Sequence, residues 1–215
     1  MHAEGNQWLM VANSGQPALM RLICFSCPGS DPQQTLEWAS DLDDHIELVS
    51  VCLPGHGSRS DEMALQEWPS LLEQTFAQLK PLLAEPHALL GHCLGGSIAY
   101  EIAKRASRAF PGQTRHLFIA GCRSPNSQVR APRQHANLLL SDSWSDTLGH
   151  SLDVPLTALY GTDDTLDPLT DMLPWGHFTQ REFELIELCG DHFFLHNQRH
   201  RLLHIINTHL GLLSR

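Results

Sequence analysis

No apolar run in this chain is long enough to cross a bilayer, which takes roughly 20 consecutive apolar residues. The first residues, MHAEGNQWLM, lack the basic start and apolar stretch of a secretory signal. Both absences point to the cytoplasm. Positive charge is scarce: 14 Lys and Arg stand against 24 Asp and Glu, for a formal net charge of −10. That argues against broad binding to nucleic acid or to an anionic membrane, either of which needs a basic surface. Arg59, Arg123, Arg130 and Arg133 read as solvated surface arginines, with a local basic patch as the alternative. The histidines form no H-E-x-x-H and no Cys/His pattern with zinc spacing, so no metal is expected. Internal repeats and low-complexity tracts are also missing.

Six cysteines are spread along the chain, at Cys24, Cys27, Cys52, Cys93, Cys122 and Cys189. Without a signal, and in a chain of 215 residues, they read as reduced thiols rather than as a disulfide framework. Cys24-x-x-Cys27 lacks the second pair that a zinc site needs. It also lies at a strand, not at the helix start of a dithiol redox motif, so both are read as core cysteines.

What is present is an alternation. LMRLICF (19–25), IELVSVCL (46–53), HALLGH (87–92), HLFIAG (116–121), LTALYG (156–161) and FELIEL (183–188) are short apolar runs bounded by Gly, Pro or polar residues, the pattern of buried strands. QWLMV near residue 9 offers an antiparallel edge strand. Helical patterns over 33–42, 64–80, 95–108 and 198–211 lie between them. Strands alternating with helices predict an α/β fold, a mostly parallel sheet covered on both faces. The length supports one sizeable core, hence a single domain over 1–215. Residues 123–152, rich in Ser, Asp and Asn, break the rhythm and read as an insertion with one short helix, either a surface loop or a short lid over a pocket.

Gly91-His92-Cys93-Leu94-Gly95 has the spacing G-x-nucleophile-x-G, with a strand before it and a small-residue helix after it. On such a turn the nucleophile occupies strained backbone at a helix N-terminus, where the dipole favours an anion and lowers a thiol's pKa. A structural cysteine buried at a sheet–helix junction is the competing reading. A nucleophile needs a base, and the base an orienting acid. Strand LTALYG runs into Asp163 and Asp164, and the last strand runs into Asp191 and His192. Both follow Cys93 in the order nucleophile, acid, histidine. Asp164, fourth from the glycine in G-x-x-D, is the preferred acid and Asp163 the alternative. Asp191 is disfavoured because adjacent residues in extended chain point apart.

With these blocks in view, the chain resembles the type II thioesterases, discrete α/β-hydrolases that serve nonribosomal peptide and polyketide synthases. ICFSCPGS is similar to that family's first loop, CLPGHGSR to its P-G-x-G-x-R segment, GHCLGGSIAYEIA to G-H-S-x-G-G and its helix, and LYGTDD and CGDHFFL to its acid and histidine loops. The resemblance implies an α/β-hydrolase fold with a Cys93–His192–Asp164 triad. It implies an acyl or peptidyl carrier protein as partner, presenting a thioester on its phosphopantetheine arm, with no separate cofactor. The chain departs from the family in three ways. Cys93 replaces serine, the insertion is short, and Pro28 stands where a backbone N–H usually faces the oxyanion. Leu94 should remain a donor, with Gly29 or Cys27 as the second. A thiolate needs less help from base and oxyanion hole than a hydroxyl does, which suits such a site. Acyl release is the expected activity. Transfer of acyl groups between carriers through Cys93 is the alternative, and a non-catalytic carrier-binding role the third reading.

Overall fold

The apolar runs pair side by side. A computed structural model describes residues 7–12, 18–27, 29–127, 144 and 151–213. In it, strands β1 (Leu9–Ala12), β2 (Met20–Phe25), β3 (Ile46–Val51), β4 (His87–His92), β5 (Thr114–Ala120), β6 (Leu156–Gly161) and β7 (Phe183–Leu188) form one sheet in the order β1-β3-β2-β4-β5-β6-β7. Only β1 runs antiparallel to its neighbour. Every residue of β4 is buried, as a central parallel strand requires when helices cover both faces. This is the mostly parallel sheet that the alternating pattern predicts, and the α/β-hydrolase arrangement that the family resemblance implies.

Side chains alternate across the sheet and feed two cores. Ile23, Val49, Leu89 and Leu117 pack on one face against α2 (Trp68–Leu83) and α3 (Leu94–Ala109). Leu22, Leu48, Leu90 and Phe118 pack on the other against Trp38, Leu42 and the C-terminal helix Arg199–Leu213. The strands end at the edge from which the candidate site residues emerge, so the cores fix where those residues stand.

Some boundaries differ from expectation. The helix expected from residue 64 starts at Trp68, with a proline in its first turn, and continues through Pro81 to Leu83. A proline early in a helix costs nothing, because the N–H it lacks has no partner there. The pattern over 33–42 divides into α1 (Pro32–Leu36), capped by Asp31 accepting from the Gln33 N–H, and a 3₁₀ helix over Glu37–Asp41. Nothing in the local pattern marks the short helix α4 (Leu169–Met172) or the 3₁₀ turn Leu173–Phe178. Trp175 anchors that turn, fully buried and donating from Nε1 to the Cys122 carbonyl at 2.7 Å. Most of the 123–152 insertion lies outside the described residues, and with it the lid reading. Trp144, which is described, packs among Tyr100, Trp68 and Trp175.

The arginine reading needs correction. Arg59 is buried, paired with Glu62 through two nitrogens and bonded to the Cys52 carbonyl. Arg123 is buried as well, paired with Asp167 at 2.8 Å. Neither is a solvated surface charge, and Arg130 and Arg133 lie outside the described residues. No helix among the described residues is long and apolar enough to cross a membrane.

Candidate active site

Strand β4 ends at His92 and α3 begins at Leu94, so Cys93 is the whole turn between them. Its φ of 57° and ψ of −125° make it the one non-glycine with positive φ among the described residues. A side chain in such a region costs on the order of 1–3 kcal/mol and persists only where its surroundings hold it. Here the Cys93 N–H donates to the Ala120 carbonyl at 3.0 Å, and its own carbonyl accepts from Gly96 at 2.9 Å. The flanking glycines are needed for close approach. A Cβ on Gly91 would fall on the Gly95 carbonyl, and one on Gly95 on the carbonyl of Phe25.

His192 follows β7 and Asp164 follows β6, on neighbouring strands. His192 Nδ1 and Asp164 Oδ2 are 2.9 Å apart, both side chains buried. The other carboxylate oxygen, Oδ1, accepts from the backbone N–H groups of Leu166 and Asp167, each at 2.9 Å. The acid is therefore held from both ends. Asp163 is exposed and accepts from its neighbour Thr162. Asp191 is exposed and accepts from the Phe193 N–H. Between the two candidate acids, it is Asp164 that meets the imidazole.

The nearest donor atoms of Cys27, Cys93 and His192 lie within 4.8 Å of one another, all three residues buried. His192 Nε2 is buried without a hydrogen bond of ordinary geometry, and the ring and the Cys93 thiol act on each other electrostatically. The Cys27 thiol, hydrogen-bonding to Cys93, draws the Cys93 pKa well below an ordinary thiol's. Burial opposes this, and His192 adds to it. Burial disfavours a charged His192, but Asp164 and Cys93 outweigh it and hold the imidazole at about 10. Burial likewise works against ionised Asp164, and His192 overcomes it, lowering that carboxyl. The three directions agree on a thiolate–imidazolium pair backed by a carboxylate.

Sequence reasoning missed three supporting residues. His92 Nε2 bonds the backbone carbonyl of His192 at 2.8 Å and so fixes the histidine loop, and burial lowers its own pKa to about 4. Asp167 Oδ2 lies 3.9 Å from His192 Nδ1, and Arg123 neutralises that second carboxylate. His92 was visible inside the G-H-C-L-G turn. The Arg123–Asp167 pair joins residues 44 apart in sequence and left no local signal.

Leu94 is the first residue of its helix, so its N–H has no partner within the helix. Gly29, at φ +88°, lies in a turn where the Ser30 N–H donates to the Cys27 carbonyl at 3.0 Å. Pro28, expected to withhold a donor, lies outside the described residues. Two cavities meet at Phe25, Ser26, Cys27 and Ser30. One has an empty volume of about 420 Å³ and reaches Trp38 and His92. The other, of about 350 Å³, reaches Leu53, Leu94 and Ile98.

Known proteins resemble this chain over nearly its whole length. The gramicidin S biosynthesis protein GrsT of Aneurinibacillus migulanus is 24% identical, over 98% of this chain and 96% of its own. Among solved structures, the type II thioesterase BorB from the borrelidin biosynthetic cluster superposes with a TM-score of 0.84 at 23% identity, covering 94% of this chain and 97% of that one. The RedJ thioesterase from the prodiginine pathway of Streptomyces coelicolor gives 0.82 at 26%, covering 90% and 88%. The Thioesterase domain family matches residues 20–142, more than half of the sequence, and the chain belongs to that family.

Proposed function

We propose that this protein is a type II thioesterase of secondary-metabolite biosynthesis, releasing acyl or aminoacyl groups from the phosphopantetheine arm of a carrier protein through an acyl-Cys93 intermediate. The observation that carries this reading is the buried chain Cys93, His192, Asp164 on a strained strand-to-helix turn, in a member of the Thioesterase domain family. The thiolate attacks the thioester carbonyl. The Leu94 N–H, with Cys27 or Gly29 as second donor, faces the developing oxyanion. As the C–S bond to pantetheine breaks, His192 gives its proton to the leaving sulfur. Neutral His192 then takes a proton from water, which attacks acyl-Cys93. The acid is released and the imidazolium–thiolate pair is restored. Asp164 holds the ring and balances its charge throughout.

The thiol itself favours a second reading, transfer between carriers. Exchanging a pantetheine thioester for a cysteine thioester is close to isoenergetic, so a second thiol can discharge the intermediate as well as water can. The test is intact-mass spectrometry of the protein with acyl-loaded carrier, with and without an acceptor carrier. An adduct of acyl mass, lost in Cys93→Ala, is expected. Free acid as the main product supports release, and acyl-acceptor as the main product supports transfer. Neither adduct nor product would sink both readings.

A further inference from the structure

Cys27 is absorbed by no step above as a side chain, yet its sulfur stands within 4.8 Å of the Cys93 sulfur in a buried pocket. We propose that Cys27 is a resolving thiol: a hydroperoxide oxidises Cys93, and Cys27 then closes a Cys27–Cys93 disulfide that turns the site off reversibly. The proposal concerns sulfur oxidation and does not depend on which acceptor takes the acyl group.

The two positions differ in the way such a pair requires. Cys93 is fixed, its N–H and carbonyl both bonded at the head of α3. Cys27 follows the end of β2, outside any helix or strand, just before the turn at Gly29. A disulfide needs the sulfurs at about 2.05 Å, so they must close by at most about 3 Å. Rotation about the Cys27 side chain with a small shift of its loop supplies this. Cys27 also borders both cavities, which gives a small peroxide a way in.

The other thiols are poor rivals. Cys24 points to the opposite core from Phe25, and burial pushes its thiol far up, leaving it inert. Cys122 lies against Ser97 and Gly96. The spacing Cys24-x-x-Cys27 therefore misleads: the partner of Cys27 lies across the sheet edge, not three residues back. Three donors also leave the cluster one short of a closed tetrahedral metal site, whereas two sulfurs suffice for a disulfide.

The steps balance. The Cys93 thiolate attacks one peroxide oxygen and the O–O bond breaks. Cys93 becomes a sulfenic acid, and the other oxygen leaves, after taking a proton, as water or an alcohol. Sulfur loses two electrons and the peroxide gains them. Cys27 then attacks the Cys93 sulfur, the S–O bond breaks, and hydroxide leaves with the Cys27 proton as water. A dithiol reductant returns two electrons and reopens the bond.

The experiment treats the protein with hydrogen peroxide at about fivefold molar excess, enough for the two oxidations that sulfinic acid takes, then alkylates the remaining thiols and maps peptides without reduction. Expected are the loss of two hydrogens, a peptide joining Cys27 to Cys93, and near-complete recovery of Cys93 alkylation after dithiothreitol. In Cys27→Ala, and in Cys27→Ser should the alanine variant fold poorly, the same dose should carry Cys93 to sulfinic acid, with recovery roughly tenfold lower. A dimedone adduct on Cys93 should appear in these variants. Wild-type protein that yields sulfinic acid at Cys93, or a disulfide through Cys122 or a second chain, overturns the proposal. So does equal recovery in wild type and variants. All readouts are masses, so a failure here is distinct from a failure of acyl turnover.

Discussion

As the proposed nucleophile, Cys93 would attack as an anion, and its neighbours favour that form. The Cys27 thiol and His192 pull its pKa down against burial, and Asp164 with Cys93 holds His192 near 10. Thiolate is therefore present above the depressed thiol pKa, while the imidazole keeps its proton until the pH rises through about 10. Iodoacetamide should alkylate Cys93 at a nearly constant rate between about pH 7 and 9, where an ordinary thiol would speed up about 20-fold. Asp164→Asn removes the acceptor that raises His192. The thiol should drift back toward the ordinary range, its alkylation should become pH-dependent, and turnover should fall by roughly 10²–10⁴-fold. Asp163→Asn, altering an exposed carboxylate bonded only to its neighbour, should change turnover less than about twofold. If Asp163→Asn proves the worse variant, the acid has been misassigned. At this scale the sequence was legible wherever chain order and turn spacing carried the signal: Cys93, Asp164 and His192 each end a strand or a strand-loop motif. Cys27 reads in the sequence as a core cysteine or a backbone donor, and the nearness of its thiol to Cys93 shows only when β2 is paired beside β4.

Elements hold these residues at working distance. The strands were readable because each is a short apolar run between breakers. The loop after β6 was not, because its order comes from contacts distant in sequence. Arg123, just beyond β5, reaches Asp167 at 2.8 Å and the Leu166 carbonyl at 3.1 Å, tying the acid loop to the neighbouring strand. Removing one partner of a buried ion pair leaves the other charge uncompensated. Arg123→Met should lower unfolding stability by about 3–5 kcal/mol in urea titrations. The double variant Arg123→Met, Asp167→Leu should regain most of that, because two apolar groups leave no stranded charge. The Asp167 N–H bond to Asp164 is backbone and survives in both. A single variant within about 1 kcal/mol of wild type would mean that the pair does not brace the loop.

Across the whole molecule, charge is spent internally. Among the described residues, Arg21, Arg59, Lys104, Arg105, Arg123, Arg181 and Arg199 stand in ion pairs with carboxylates. The two arginines that could have begun a basic patch and are described, Arg59 and Arg123, are buried among them. The net charge stays at −10. The carrier protein proposed as partner belongs to a class that is itself usually acidic, so the two surfaces repel at long range and attraction must come from short-range contacts near the site. Repulsion between exposed charges is screened over about 10 Å at 0.1 M salt and over about 3 Å at 1 M. The association rate with an acidic acyl carrier should therefore rise, by about 2–5-fold, as salt increases from about 0.05 to 0.3 M. Stopped-flow fluorescence with a labelled carrier measures this directly. A rate that falls steeply with salt would instead mark electrostatic steering by a basic surface, and would move the docking face to the segment that carries Arg130 and Arg133.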